Sequence, residues 1–330
     1  MLLHGKQLHI QLARSNYIYK KMGLLRASYW LTVLFAIWVV LSTVIPNIIG
    51  NDASSALTLV NVDGYMNTAL YNSINSKGIV DNELTNSHIL LLTAHPDDES
   101  MFFTPIITEL KKRNYNNKIH LVCMSDGGYD GLGQVRKQEL GQAARILNID
   151  TWKVLNYVDD IKTFWDATDL SRSIDKEVKQ IKDGYSVKTR NIVILTFDEG
   201  GVSGHPNHRS LYHAAKLYSS KKHIRCYTLK TWNIFTKYSS VLVTIVELAF
   251  RWILKWEDSI NQTNFLGKEL RDYLPAQFLS NSITVYSDLN SLFLNLSTMT
   301  WAHYSQIVWF RWIWIFMSKY MNSNELVALT

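Results

Sequence analysis

Two short segments concentrate the residue types that hydrolytic chemistry needs. The first, AHPDDE at 94–99, sets one imidazole and three carboxylates, His95, Asp97, Asp98 and Glu99, within five consecutive positions. Carboxylates held this close repel one another, and a divalent cation is the usual compensation. The second, FDEGGVSGHPNH at 197–208, ends in His205 and His208, three residues apart at a predicted helix start. At that spacing both rings can face one ligand. Together the two segments hold enough His and carboxylate donors for a catalytic zinc, which takes three protein ligands and leaves one position for water.

Each segment alone has a plainer reading. HPDDE also describes a capped helix start, with Asp97 or Asp98 as cap and Glu99 in the first turn. HPNH also describes two surface histidines flanking a proline at the first helical position. Two His and one carboxylate further suit a non-haem iron oxygenase. What favours a hydrolytic site is the placement of both segments after apolar strands of one predicted sheet.

That sheet follows from the alternation of elements. The apolar runs 88–94, 118–125, 152–157 and 191–197 are separated by helical stretches at 101–113, 134–148, 169–182 and 207–220. Near-continuous apolar strands alternating with helices predict an α/β fold, a Rossmann-like, mostly parallel sheet with helices on both faces. Ligands in such sheets bind at the carboxyl ends of the strands. Residues 223–230 and 282–287 are weaker strand candidates. Cys123 and Cys226 fall among apolar neighbours in predicted strands, which fits buried thiols. The glycines at 127–133 lack dinucleotide-binding spacing and shape a loop.

The 330 residues carry a net charge of +6, yet five of those charges lie in the first 50 residues, as Lys6, Arg14, Lys20, Lys21 and Arg26 with no acid. The nearly neutral remainder gives no basic face for nucleic acid. Residues 27–50 form an uncharged stretch long enough to cross a bilayer as a tilted helix. The chain therefore divides into a basic leader (1–26), a transmembrane anchor (27–50), a polar linker (51–87) and a catalytic domain (88–330). Two later apolar stretches, 241–256 and 307–317, are broken by Glu247, Arg251 and Lys255, and by Arg311. They are predicted to be amphipathic segments, lying on the core or on a membrane.

The segments AHPDDE and GVSGHPNH resemble the LmbE/PIG-L superfamily of zinc-dependent sugar de-N-acetylases. HPDDESMFFTPII, LGQVRKQEL, TFDEGGVSGHPNH and HYSQIVWFRW resemble its eukaryotic branch, which acts on N-acetylglucosaminyl-phosphatidylinositol. The similarity runs from about residue 88 to 321. Bacterial members often carry Asp at the position of Asn207, which is not a metal ligand in the family.

The resemblance implies Zn2+, or another divalent metal, held by His95, Asp98 and His208. It implies Asp97 as general base, His205 as oxyanion stabiliser, and Arg136 beside the substrate headgroup with Glu139 orienting it. It also implies a glycolipid substrate, a place in the second step of glycosylphosphatidylinositol anchor synthesis, and a single-pass protein of the endoplasmic reticulum membrane with a cytosolic catalytic domain. The basic leader argues for the opposite orientation, because positive flanks stay in the cytosol. Glycan on either sequon, Asn261-Gln262-Thr263 or Asn295-Leu296-Ser297, would contradict the cytosolic placement. Deacetylation of another N-acetylated sugar, or a non-catalytic membrane partner with the same fold, are the alternatives.

Overall fold

The computed structural model describes residues 2–41, 84–112, 115–247 and 282–329. The N-terminal helix α1 (Leu2–Val39) runs without a break through the basic leader, and its stretch Lys20–Val39 is long and apolar enough to cross a membrane. That stretch overlaps the expected anchor from Ala27 to Val39. The rest of the expected anchor, most of the linker and residues 248–256 lie outside the described residues.

The domain opens with β1 (His88–Thr93), whose residues Ile89–Leu92 are at most 1% exposed. Such a run can be buried on both faces only when helices cover the sheet on both sides. Chain order continues with α2 (Asp98–Met101), α3 (Thr104–Leu110), β2 (Lys118–Cys123), α4 (Gly133–Ile146), β3 (Thr151–Val154), α5 (Ala167–Tyr185) and β4 (Ile192–Phe197). After the turn Gly201–Gly204 come α6 (Pro206–Lys222), β5 (Arg225–Leu229) and α7 (Ile234–Lys237). The last elements are β6 (Ser282–Tyr286), α8 (Leu289–Ser297), α9 (Trp309–Met317) and β7 (Ser323–Ala328).

The seven strands form one sheet in the order β3-β2-β1-β4-β5-β7-β6. Strands β1 to β5 are parallel, whereas β7 is antiparallel to both β5 and β6. Helices α5 and α6 pack together, and α3 packs on α8. The predicted α/β sheet is therefore present, and both weaker strand candidates belong to it. Its C-terminal strand β7 is apolar only over residues 326–328: Ser323, Asn324 and Glu325 are buried but polar. Its pairing partners, not its composition, make it a strand.

Two departures from expectation have local causes. The single helix predicted over 101–113 is broken at Phe102–Phe103, because Pro105 sits in the first turn of α3, where its missing N–H does no harm. Helix α5 starts earlier than predicted because the carboxylate of Asp166 accepts the Asp169 N–H at 2.8 Å and caps it. Cys123 and Cys226 are buried, and burial pushes both thiols up, Cys226 to about 12. Asn295 of the second sequon is fully buried, so it offers no acceptor in the folded domain.

The described part of the stretch 241–256 lies on the core through an ion pair. Lys319, with no exposed surface, donates to both carboxylate oxygens of Glu247 at 2.7 and 2.8 Å, and its ammonium lies over the Trp232 ring at 3.5 Å. Burial pulls that ammonium below its usual pKa, even though Glu247 works the other way. Removing one partner of such a pair leaves a buried charge uncompensated. Glu247→Ala is expected to destabilise the domain by about 3–5 kcal/mol, read as a lowered melting temperature in detergent, and the double variant Glu247→Ala/Lys319→Met to recover most of that loss.

Candidate active site

The strand order reverses between β1 and β4, and both chemistry-bearing segments leave the sheet at the carboxyl ends of these two adjacent strands. This is the switch point at which doubly wound sheets bind ligands. Residues more than 100 positions apart in sequence meet there: the rings of His95 and His208 lie 5.4 Å apart and those of His95 and His205 4.7 Å. One nitrogen from each of the three histidines falls within 4.8 Å of the others, among the described residues.

Asp98 lies between the histidines. Its Oδ2 accepts the backbone N–H of Ala94 and of His95, each at 2.9 Å, which leaves Oδ1 facing His208 Nε2 at 3.3 Å. Burial alone would raise its pKa, but the His208 and His95 rings in their charged form, with the His95 N–H, hold it well below the usual carboxylate range. His208 Nδ1 bonds the carbonyl of Gly201 at 3.0 Å and therefore carries the proton, leaving an Nε2 lone pair buried with no hydrogen-bond donor. An unpaired nitrogen lone pair facing a carboxylate oxygen is the arrangement that a divalent cation completes.

His95 is oriented in the same way. Its Nε2 is 3.0 Å from Asp159 Oδ1 and 3.1 Å from Asn207 Oδ1, both acceptors, so the neutral ring carries its proton there and keeps its lone pair at Nδ1. Nδ1 lies on the Asp98 side, 3.9 Å from Oδ2. Burial lowers the pKa of His95, but the Asp159 hydrogen bond and the Asp98 charge outweigh it and raise the value. Asp159 itself is lowered through the same contact, against its desolvation.

His205 is the N-cap of α6, and its Nδ1 accepts the Asn207 N–H at 3.2 Å, so its Nε2 bears the proton. Burial, reinforced by the two neighbouring histidines, pushes its pKa down to about 4. At neutral pH it is an uncharged hydrogen-bond donor. The plainer reading of this segment is thus half right: Pro206 does open a helix, yet the flanking rings face inward. Gly201 is required beside them, since at φ +57° a Cβ would come within 2.9 Å of the His208 Cβ.

Asp97 occupies the N-cap position of α2 but makes no side-chain cap there. Its φ of 115° is a conformation that a non-glycine residue rarely adopts, at a cost of about 1–3 kcal/mol. Three contacts hold it. Its N–H donates to Glu99 Oε2 at 3.1 Å, its Oδ2 accepts from Arg311 at 2.8 Å, and its Oδ1 lies 3.4 Å from Arg136. Arg136 also donates to the Pro96 and Gly127 carbonyls at 2.7 and 3.0 Å, so it braces the loop that carries Asp97. Glu139, expected to orient Arg136, instead accepts the N–H and hydroxyl of Ser305, each at 2.7 Å. It pins the C-terminal segment.

Three contributors escaped the residue-level reading. Asp159 follows β3 and bonds His95, whereas the nearby Asp160, Trp165 and Asp166 serve a turn, the core and a helix cap. His303 bonds Glu99 Oε1 at 2.6 Å, with both residues buried. Arg311 had registered only as an interruption of an apolar run, although a lone charge in such a run is itself the signal of a buried partner. Asp198 closes the loop after β4 by accepting from Gly200, Gly201 and Thr231, and has no place among the histidines.

The PIG-L family, described as GlcNAc-PI de-N-acetylase, matches residues 90–219. The "Probable N-acetylglucosaminyl-phosphatidylinositol de-N-acetylase" of Schizosaccharomyces pombe is 34% identical over 268 residues, covering 79% of this chain and 95% of that protein. The N-acetylglucosaminyl-phosphatidylinositol de-N-acetylase of Arthroderma benhamiae is 31% identical over 298 residues, covering 74% and 87%. Among solved structures, the N,N'-diacetylchitobiose deacetylase of Pyrococcus horikoshii aligns with a TM-score of 0.43 at 17% identity, over 72% of this chain and 76% of that one.

Asp159 touches no proposed reacting atom, yet it fixes the tautomer and direction of His95. Asp159→Ala is therefore expected to weaken divalent-metal affinity about 10–100-fold, measured by chelator competition on the purified protein, with the fold retained by circular dichroism.

Proposed function

Because this chain belongs to the PIG-L family of GlcNAc-PI de-N-acetylases, we propose that it hydrolyses the acetamide of N-acetylglucosaminyl-phosphatidylinositol to the free amine and acetate, the second step of glycosylphosphatidylinositol anchor synthesis. The observation that carries this reading is the pairing of a donor-less His208 lone pair and an Asp98 oxygen beside a separate buried carboxylate, Asp97, on the adjacent residue. One set of groups suits a metal and the other suits proton transfer.

His95, Asp98 and His208 would hold a zinc ion, whose chemistry when bound is to acidify water to a pKa of about 7 and to polarise a carbonyl. Asp97 takes the proton of the attacking water at a carboxylate oxygen as the new C–O bond forms. Arg136 and Arg311 fix the direction of that carboxylate and compensate its charge. His205, neutral and protonated at Nε2, donates to the oxygen of the tetrahedral intermediate. As the C–N bond breaks, Asp97 returns its proton to the glucosamine nitrogen, so one carboxylate serves both steps.

The protein is read as a single-pass protein of the endoplasmic reticulum membrane, held by the span Lys20–Val39. The catalytic domain is placed in the cytosol, in keeping with the family resemblance and against the charge bias of the leader. Protease added to sealed microsomes should digest the domain, and full protection would overturn that placement.

The roles separate by substitution. With N-acetylglucosaminyl-phosphatidylinositol in detergent micelles, Asp97→Asn should lower kcat by about 100- to 10,000-fold while metal content, read by elemental analysis, stays at the wild-type level. Asp98→Asn and His208→Ala should lose metal and rate together. Arg311→Ala should lower kcat with little change in KM, and added guanidinium should restore part of the rate. Equal rates for wild type and Asp97→Asn would remove the base assignment.

A further inference from the structure

Helix α9 has two faces. Arg311, Trp314 and Ile315 point into the domain, while Trp309, Phe310, Trp312, Ile313, Phe316 and Met317 are 39–75% exposed, with no charged side chain among them. Under this helix lies a groove of about 440 Å³, whose walls include Met101, Phe102, Tyr238, Phe310, Ile313 and Trp314. Two cations line it, Arg311 and Lys237. Arg311 is committed to Asp97 and to the Gln306 carbonyl. Lys237 spends one N–H on the Val202 carbonyl at 3.1 Å, and no carboxylate is shown beside it among the described residues.

The groove therefore touches the site at one end, through Arg311, and the exposed apolar face of α9 at the other. That face meets the membrane span: Phe316 packs edge-on against Phe35 and Trp38 of α1, with ring centroids 6.5 and 5.3 Å apart, and the Trp38 indole donates to Ser240. A half-buried ammonium with donors to spare, between a hydrolytic site and a lipid-level helix, suits an anion carried on a hydrocarbon chain. Burial already lowers the Lys237 pKa, which an anionic neighbour would reverse.

We propose that this groove binds the phosphodiester and proximal acyl portion of an anionic glycerolipid, with Lys237 meeting the phosphate and Phe310 and Ile313 flanking the chains. The inference rests on the glycolipid reading above and adds the part of the molecule that holds the non-reacting end of the substrate. It separates lipid recognition from the acetamide chemistry.

The test is a binding measurement that needs no turnover. Full-length protein in detergent is titrated calorimetrically with dioctanoyl-phosphatidylinositol, with uncharged dioctanoylglycerol and with inorganic phosphate. Lys237→Met should weaken dioctanoyl-phosphatidylinositol at least 10-fold and leave dioctanoylglycerol unchanged, and Lys237→Arg should bind as wild type. Inorganic phosphate should not compete at millimolar concentration. Equal affinity of wild type and Lys237→Met for the lipid would overturn the proposal, and so would displacement by inorganic phosphate alone, which would mark a plain anion site. If Lys237-dependent lipid binding persists in a protein that releases no acetate, the reaction assignment fails and the groove stands. Acetate release with lipid binding indifferent to Lys237 is the reverse result.

Discussion

The organisation of this domain follows from one electrostatic constraint: four carboxylates, Asp97, Asp98, Glu99 and Asp159, converge at the carboxyl ends of β1 and its neighbours, and the first three are buried. Burying an anion without a partner is strongly destabilising. The fold meets this demand for Asp97, Glu99 and Asp159 by bringing a cation or donor from a different element, and for Asp98 with backbone N–H groups of its own loop. Asp97 receives Arg136 from α4 and Arg311 from α9, Glu99 receives His303, Asp159 receives His95, and Asp98 receives two backbone N–H groups and faces His208. The C-terminal third of the chain is tied to the site by these pairs, so the sheet and the segment beyond it form one catalytic unit.

The same constraint separates two jobs among chemically similar residues. Asp97 and Asp98 are neighbours in sequence, yet the left-handed backbone at Asp97 turns its carboxylate toward guanidinium groups, while Asp98 turns toward imidazoles. His205 and His208 differ in the same manner. One ring gives its Nδ1 to capping α6 and the other donates from Nδ1 to a carbonyl, so one presents an N–H to the pocket and the other a lone pair. Backbone geometry at Asp97 and hydrogen-bond partners at the two histidines, not residue type, set these differences.

Much of this was legible in the sequence where a physical signal is local. Apolar strands alternating with helices specified the parallel sheet, and polar segments directly after β1 and β4 located the switch point. The residues that the family resemblance named lie together at the strand ends, joined by Asp159, His303 and Arg311, which it did not name. What lay beyond reach was non-local. The first half of β7 is polar, and the strand is defined by its pairing with β5 and β6. Arg311 and His303, which meet Asp97 and Glu99, lie 214 and 204 residues away from them. Glu139 was assigned to its helical neighbour Arg136, whereas the tertiary fold gives it Ser305. Arg311 left a trace, a lone charge in an apolar run, which is best read as a request for a buried partner rather than as a break in a hydrophobic face.

The account stands on a single claim, that the two strand-end segments form one metal-dependent deacetylating centre. The most direct measurement is release of labelled acetate from N-[14C]acetyl-glucosaminyl-phosphatidylinositol by the purified full-length protein, before chelation, after chelation and after zinc is restored. The account predicts release that falls to background on chelation and returns with about one equivalent of zinc. Release unaffected by complete metal removal, or none from folded and zinc-loaded protein, would contradict it.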